Sequence, residues 1–158
     1  WTYAKALLAH ERTFIAGVAE SKRDLVDLKK IAATEMSGGK ALIDDPSIRK
    51  SITDIEIELM ALEFTELRVV AAIAAGGAAG AESSLLKIKG TEIQQSLQKL
   101  RMDLSGTFMG VLANDEDASG HEFADSARIK YMYGRAATIY GGSNEVQKNI
   151  ISKFVLGL

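Results

Sequence analysis

Acidic side chains placed on apolar helix faces are the chemistry-bearing residues of this chain, and Glu11 is foremost among them. In WTYAKALLAHERTFIAGV, an advance of about 100° per residue puts Leu7, Phe14, Ile15 and Val18 on one stripe, with Glu11 in its middle. A carboxylate on a buried face costs free energy unless it is paired or protonated. Burial also raises its pKa, and a general base working near neutral pH needs a raised pKa. Two structural arrangements account for the same residue: an ion pair with the adjacent Arg12, or a place at the rim of the face. Glu66 falls on a second apolar face and reads as a structural ion-pair member, with Arg68 or with another helix. The two histidines, His10 and His121, belong to no metal-ligand spacing, so no metal site is expected. The chain has no cysteine, which excludes disulfides, thiolate nucleophiles and cysteine-based metal centres. That usage suits a reducing compartment such as the cytoplasm.

These residues need helices to carry them. With 158 residues, 47% of them hydrophobic and 25% charged, the chain is large and apolar enough for one domain with its own core. A formal net charge of −2 gives nucleic acid or an anionic membrane no reason to bind, and neither is expected as a partner. No apolar run reaches the roughly 18 residues that a bilayer span requires. Charges at Lys5, Glu11 and Arg12 come too early for a secretory leader. The start at Trp1, without Met and already in a helical pattern, argues for a piece of a longer protein. The apolar ending KFVLGL calls for a surface on which to dock.

Pro46 is the only proline, and Ala, Leu, Glu and Lys abound, so helix is expected throughout. A first helix is predicted from about Trp1 to Met36, with Leu25, Leu28 and Ala32 inward and Gly38 and Gly39 beyond its end. Asp45 and Pro46 cap and start a second, running to about Ala75, with Ile48, Ile52, Ile55, Leu59, Leu62, Val69 and Ile73 on one face. A small-residue loop ending in a serine cap leads to a third helix, about Ser84 to Leu104. Leu86, Ile93, Leu97, Leu100 and Leu104 share its face, and Gly90 on that face permits close helix contact. A polar connection containing NDED lacks the spacing of a calcium loop and reads as a solvated loop. A fourth helix covers about Glu122 to Ala137. The last, capped by Ser143, runs to about Val155, with Val146, Ile150 and Phe154 in register. Long helices, short loops and no strand alternation predict an all-α, up-and-down bundle of about five helices.

The segment IYGGSNEVQKNIISKFVLGL resembles the C-terminal signature of the acyl-CoA dehydrogenases, in which a Tyr-Glu/Gly-Gly-Thr/Ser turn leads into the last helix. LLAHERTFIAG resembles the family's Leu-x-x-Glu-Arg helix, and DDPSIR with SSLLKIKGTEIQQ is similar to a bacterial, pimeloyl-CoA dehydrogenase-like branch. The likeness covers residues 1–158 but only the family's C-terminal helical domain, implying that the N-terminal helical and middle β domains lie outside this chain. The piece alone is then expected to be inactive. In that family the base stands either directly after the turn tyrosine or on the first helix of this domain, directly before an arginine. Here the turn position is Gly141 and the helix position is Glu11, so the resemblance assigns Glu11 as the base.

The resemblance further implies FAD as cofactor, an acyl-CoA substrate, an electron-transfer acceptor protein, and a dimer or tetramer. It puts Arg12, Tyr140 and Gly141 at the substrate, and Ser143 and Glu145 near the flavin dinucleotide. Ser143 at a helix N-terminus also suits polar or phosphate groups. The family's Arg-x-x-Phe-Gly stretch is replaced by SGGKALIDDP, and its Gln-x-x-Gly-Gly stretch by MDLSG. Those departures fit a heteromeric enzyme or a branch with altered flavin contacts. Besides the dehydrogenase reading stand an acyl-CoA oxidase-like flavoprotein and a non-catalytic partner subunit of a heteromeric enzyme.

Overall fold

The apolar stripe from Ile52 to Val69 becomes the buried side of the longest helix. The computed structural model describes residues 16–77, 80–110 and 122–158. Among them five α-helices follow in order: α1 (Val18–Thr34), α2 (Pro46–Ala74), α3 (Glu82–Ser105), α4 (Glu122–Gly134) and α5 (Asn144–Ile151). Short 3₁₀ turns cover Leu42–Asp44, Gly106–Gly110 and Arg135–Thr138, and a π-helical turn over Ser152–Leu156 follows α5. The expected all-α bundle is the fold.

Helix α3 lies at its centre. It packs against α1, α2, α4 and α5, and its first three turns are buried on nearly every side, from Ser83 through Ile93. The main core joins Leu25, Leu28 and Ala32 of α1, Ile52, Ile55, Leu59, Leu62 and Val69 of α2, and Leu86, Ile93, Leu97, Leu100 and Leu104 of α3. These are the inward positions that helical phasing selects. Gly90 does what its place on the α3 stripe implies. A Cβ built there would stand 2.6 Å from Ala16 Cα and 2.5 Å from Ala16 O, so the chain crosses α3 in near contact.

Local chemistry fixes the ends. The Asp45 carboxylate caps α2 by accepting the backbone N–H groups of Ser47 at 2.7 Å and Ile48 at 3.4 Å. The Ser47 hydroxyl, which donates to the same carboxylate at 2.6 Å, and then these two backbone bonds hold the Asp45 pKa below the usual carboxylate value. Ser143 accepts from the Val146 N–H at the start of α5.

Four expectations need correction. The first helix does not run unbroken from Trp1: α1 begins at Val18 after Gly17, whose φ of +58° is left-handed and suits only glycine. Its far end gives way to a minimal antiparallel hairpin, Met36–Ser37 against Lys40–Ala41, which Gly38 and Gly39 turn with positive φ. Helix α3 starts two residues early and without a side-chain cap, because Ser83 and Ser84 lie within its first turn and the Ser83 hydroxyl donates to Gly80 O. On α5 the stripe is not core: Val146 is half exposed and Phe154 largely so, while Ile73 of α2 is exposed as well. Trp1 to Ile15 and the NDED connection lie outside the described residues.

Glu66 is also not the ion-pair member expected. Among the described residues it has no ionic partner, and Arg68 lines a surface cleft with Thr65, Glu82 and Leu85. Partial burial raises its pKa, and the like charge of Glu63 adds to the rise.

Two measurements follow. Gly90→Ala should destabilise the fold by about 1–3 kcal/mol, since the neighbour in its way is backbone; urea unfolding of both proteins reads this, and an unchanged midpoint would refute the close crossing. For Glu66 the folded pKa lies above the unfolded one, so protonation favours the folded state and the penalty grows as pH rises through the folded value. Glu66→Gln should therefore raise the urea midpoint at pH 7, with the gain shrinking toward pH 4.5, the ordinary glutamate value.

Candidate functional site

The turn before α5 gathers the described candidates. Gly141 and Gly142 have φ of +66° and +91°. Two consecutive residues in the left-handed half of conformational space need glycines, and the reversal they make presents Tyr140 on one side and Ser143 on the other. The backbone at 141 thus adopts a conformation that residues with a side chain rarely take up.

The approach to the turn is pinned from α3. Gln95 Nε2 donates to Gly134 O at 3.1 Å. The Arg135 guanidinium donates to Gln95 O and Gln98 Oε1, both at 3.4 Å, and lies over the Tyr131 ring at 4.3 Å from its centre. The N–H groups of Ile139 and Tyr140 both close onto Ala136 O. The exit is pinned from beneath. Gln147, fully buried, donates from Nε2 to Gly141 O at 3.2 Å and Gly142 O at 3.4 Å.

Tyr140 is partly exposed. Its phenol pKa is raised, first by burial and then by Tyr133 and Glu20. Glu20 lies in the first turn of α1, so the turn and the start of α1 share one end of the bundle. Glu11 and Arg12 themselves lie outside the described residues.

Ser143 and Glu145 stand together at the N-terminus of α5. The Glu145 pKa is lowered by its own backbone N–H, by the Ser143 hydroxyl, and by Lys148 and Lys87. A carboxylate therefore already occupies the positive end of the helix. This changes the expectation that the terminus suits a phosphate: a second anion would meet Glu145. The arrangement fits hydroxyl or amino groups, which would donate to Glu145 and exchange bonds with Ser143.

Sequence reading missed three residues here: Lys87, Asn144 and Gln147, all buried. The one available signal was the spacing of Ser84, Lys87 and Thr91, a polar stripe at helical period that reads as a solvent face but is buried. No cluster of potential metal ligands occurs among the described residues.

Comparison with known proteins agrees with this architecture. Residues 1–156 match the family model described as acyl-CoA dehydrogenase, C-terminal domain. The chain is 32% identical over 159 aligned positions to the acyl-CoA dehydrogenase IpdE1 of Mycobacterium tuberculosis, covering 100% of this chain and 38% of that protein. It thus spans about two fifths of the length of that curated relative. An acyl-CoA dehydrogenase from Geobacillus kaustophilus superposes with a TM-score of 0.81 at 22% identity, over 99% of this chain and 39% of that one. A chain of the ChsE4–ChsE5 complex from Mycobacterium tuberculosis superposes with a TM-score of 0.72 at 25% identity, over 89% and 36%.

Gly142→Ala is the direct check on the turn. The residue would be strained at φ +91°, and its Cβ would come within 2.5 Å of Gln147 Nε2, forcing that side chain off its two carbonyls. A loss of about 1–3 kcal/mol in urea unfolding is expected; a neutral substitution would rule out this turn geometry.

Proposed function

The chain belongs to the acyl-CoA dehydrogenase family as a C-terminal domain, and from that premise we propose that it completes an FAD-dependent enzyme converting an acyl-CoA to the trans-2-enoyl-CoA. The N-terminal helical and middle β domains belong, in this reading, to the longer protein of which residues 1–158 are a part.

The observation that carries the assignment of the base is the turn at Gly141. It has no carboxylate, its φ of +66° is one that side chains rarely adopt, and the resemblance then leaves Glu11 as the candidate. Glu11 then takes the α-proton of the thioester onto a carboxylate oxygen. Bound FAD supplies the acceptor for the β-hydrogen, which leaves with its electron pair. Gly141 leaves room beside the acyl chain, with Tyr140 and Arg12 at its edges. Ser143 and Glu145 hold hydroxyl or amino groups of the dinucleotide. Reoxidation falls to an electron-transfer acceptor protein, and the acyl group is a dicarboxylyl or a medium-to-long chain. The enzyme works in the cytoplasm.

Exposed apolar side chains support an oligomer. Ile57, Met60, Phe64 and Leu67 crowd the outer face of α2, and Phe154, Val155, Leu156 and Leu158 the C-terminus. Patches of this kind mark association surfaces. A second reading, a non-catalytic partner subunit in a heteromeric enzyme, draws on the likeness to a chain of the two-component ChsE4–ChsE5 complex.

The test uses the full-length protein, mixed anaerobically with a panel of acyl-CoAs while the visible flavin band is followed. Wild type should bleach with its substrate, and Glu11→Gln should keep its flavin yet bleach at least about a hundredfold more slowly. Equal bleaching would move the base elsewhere. Flavin binding that requires a second polypeptide would favour the partner-subunit reading.

A further inference from the structure

Lys87 is the largest fully buried side chain among the described residues. It lies in the middle of the bundle, on α3, and its ammonium donates to Asn144 Oδ1 at 2.9 Å. Burial pushes its pKa down, against the opposing pull of the nearby Glu145 carboxylate. An apolar side chain of similar volume would fill the same space without this cost. What the lysine adds is direction. Apolar contact is indifferent to small slides, whereas a hydrogen bond between two buried groups holds one distance and one angle.

Asn144 is the first residue of α5, so this bond sets where the helix begins. Gln147, one turn on, reaches back to the Gly141 and Gly142 carbonyls. Of the other buried polar side chains of α3 in this region, Ser83 and Thr91 close locally, the Thr91 hydroxyl donating to Lys87 O at 3.0 Å, and Ser84 Oγ has no hydrogen-bond partner among the described residues. Lys87 alone among them reaches across to another helix. No apolar side chain of α5 is fully buried: Val146 is half exposed, Ile150 and Ile151 are half-buried, and the buried residues are Asn144 and Gln147.

We propose that Lys87, Asn144 and Gln147 form a buried polar brace that sets the position of the Tyr140–Ser143 turn, making Lys87 a positioning residue for the substrate and cofactor groups carried there. The brace acts from α3 through the first turn of α5. With Gln95 holding the approach at Gly134, it ties both ends of the turn segment to the same central helix. Its functional meaning rests on the dehydrogenase reading above, while its structural content does not.

The experiment compares backbone amide hydrogen exchange in the full-length protein for wild type, Lys87→Met and Asn144→Asp. In Lys87→Met the amides of residues 140–147 should exchange at least about tenfold faster while those of α2 and the second half of α3 keep their rates. Asn144→Asp keeps an acceptor for the ammonium and should stay within about threefold of wild type. A uniform acceleration along the chain, or none at the turn, would overturn the brace. If Lys87→Met fails to fold, Asn144→Ala removes only the acceptor and carries the same comparison. A wild type that bleaches with no acyl-CoA would sink the functional reading, and the exchange rates would still decide the brace.

Discussion

The structure depends on one constraint: α3 is the helix on which the other four pack, so that over its first three turns only a narrow stripe through Glu82, Leu85 and Lys89 faces solvent. Helices α1 and α2 bury their apolar sides with it in one core, and α4 and α5 pack against it as well. A central helix has to meet two demands. Its neighbours must come close, and its polar groups must find partners inside the protein. Gly90 meets the first by letting the Ala16 backbone lie against α3 where a side chain would collide. Thr91, Ser83 and Lys87 meet the second, two by bonding to backbone carbonyls and one by reaching α5.

That arrangement explains why the turn before α5 is ordered even though glycines make it. Two adjacent glycines impose little on their own. The turn is defined instead by what grips it: Gln95 and Gln98 before it, Gln147 beneath it, and Lys87 through Asn144 behind it. All but Gln147 act from or onto α3. Conformational entropy that the glycines would keep is removed by side chains distant in sequence, which lets the chain present Tyr140, Ser143 and Glu145 in fixed relation. The surface ion pairs between α1 and α2, Lys22 with Glu63 and Lys29 with Glu56, are exposed and add little by comparison.

The same packing leaves apolar surface outside. The outer face of α2 and the C-terminal turn carry large side chains in the open, at positions whose helical period would have placed them in a core had a further layer been present. The periodic pattern of α5 is of this kind. Its spacing is that of a buried stripe, and the buried side is instead the polar one, with Asn144 and Gln147 inward. This inversion is the physical mark of a helix whose apolar face awaits another surface.

Sequence alone determined a great deal here, because its signals are local. The stripes of α2 and α3 name their own inward residues from Ile52 to Val69 and from Leu86 to Leu104. Asp45, Pro46 and Ser143 mark helix starts through bonds that span two or three residues, and Gly90 announces a close contact. The all-α bundle and the family follow from such features. What only the tertiary structure decided concerns residues whose surroundings come from far along the chain. Glu66 had an arginine two residues away and has no ion pair among the described residues. Gly17 had a helical setting and a left-handed backbone. Lys87 sat on a polar stripe that any reading would assign to water, and it is buried. Helical period tells which residues share a side, but the number of neighbours a helix has tells which sides are covered, and that number is set by segments dozens of residues apart.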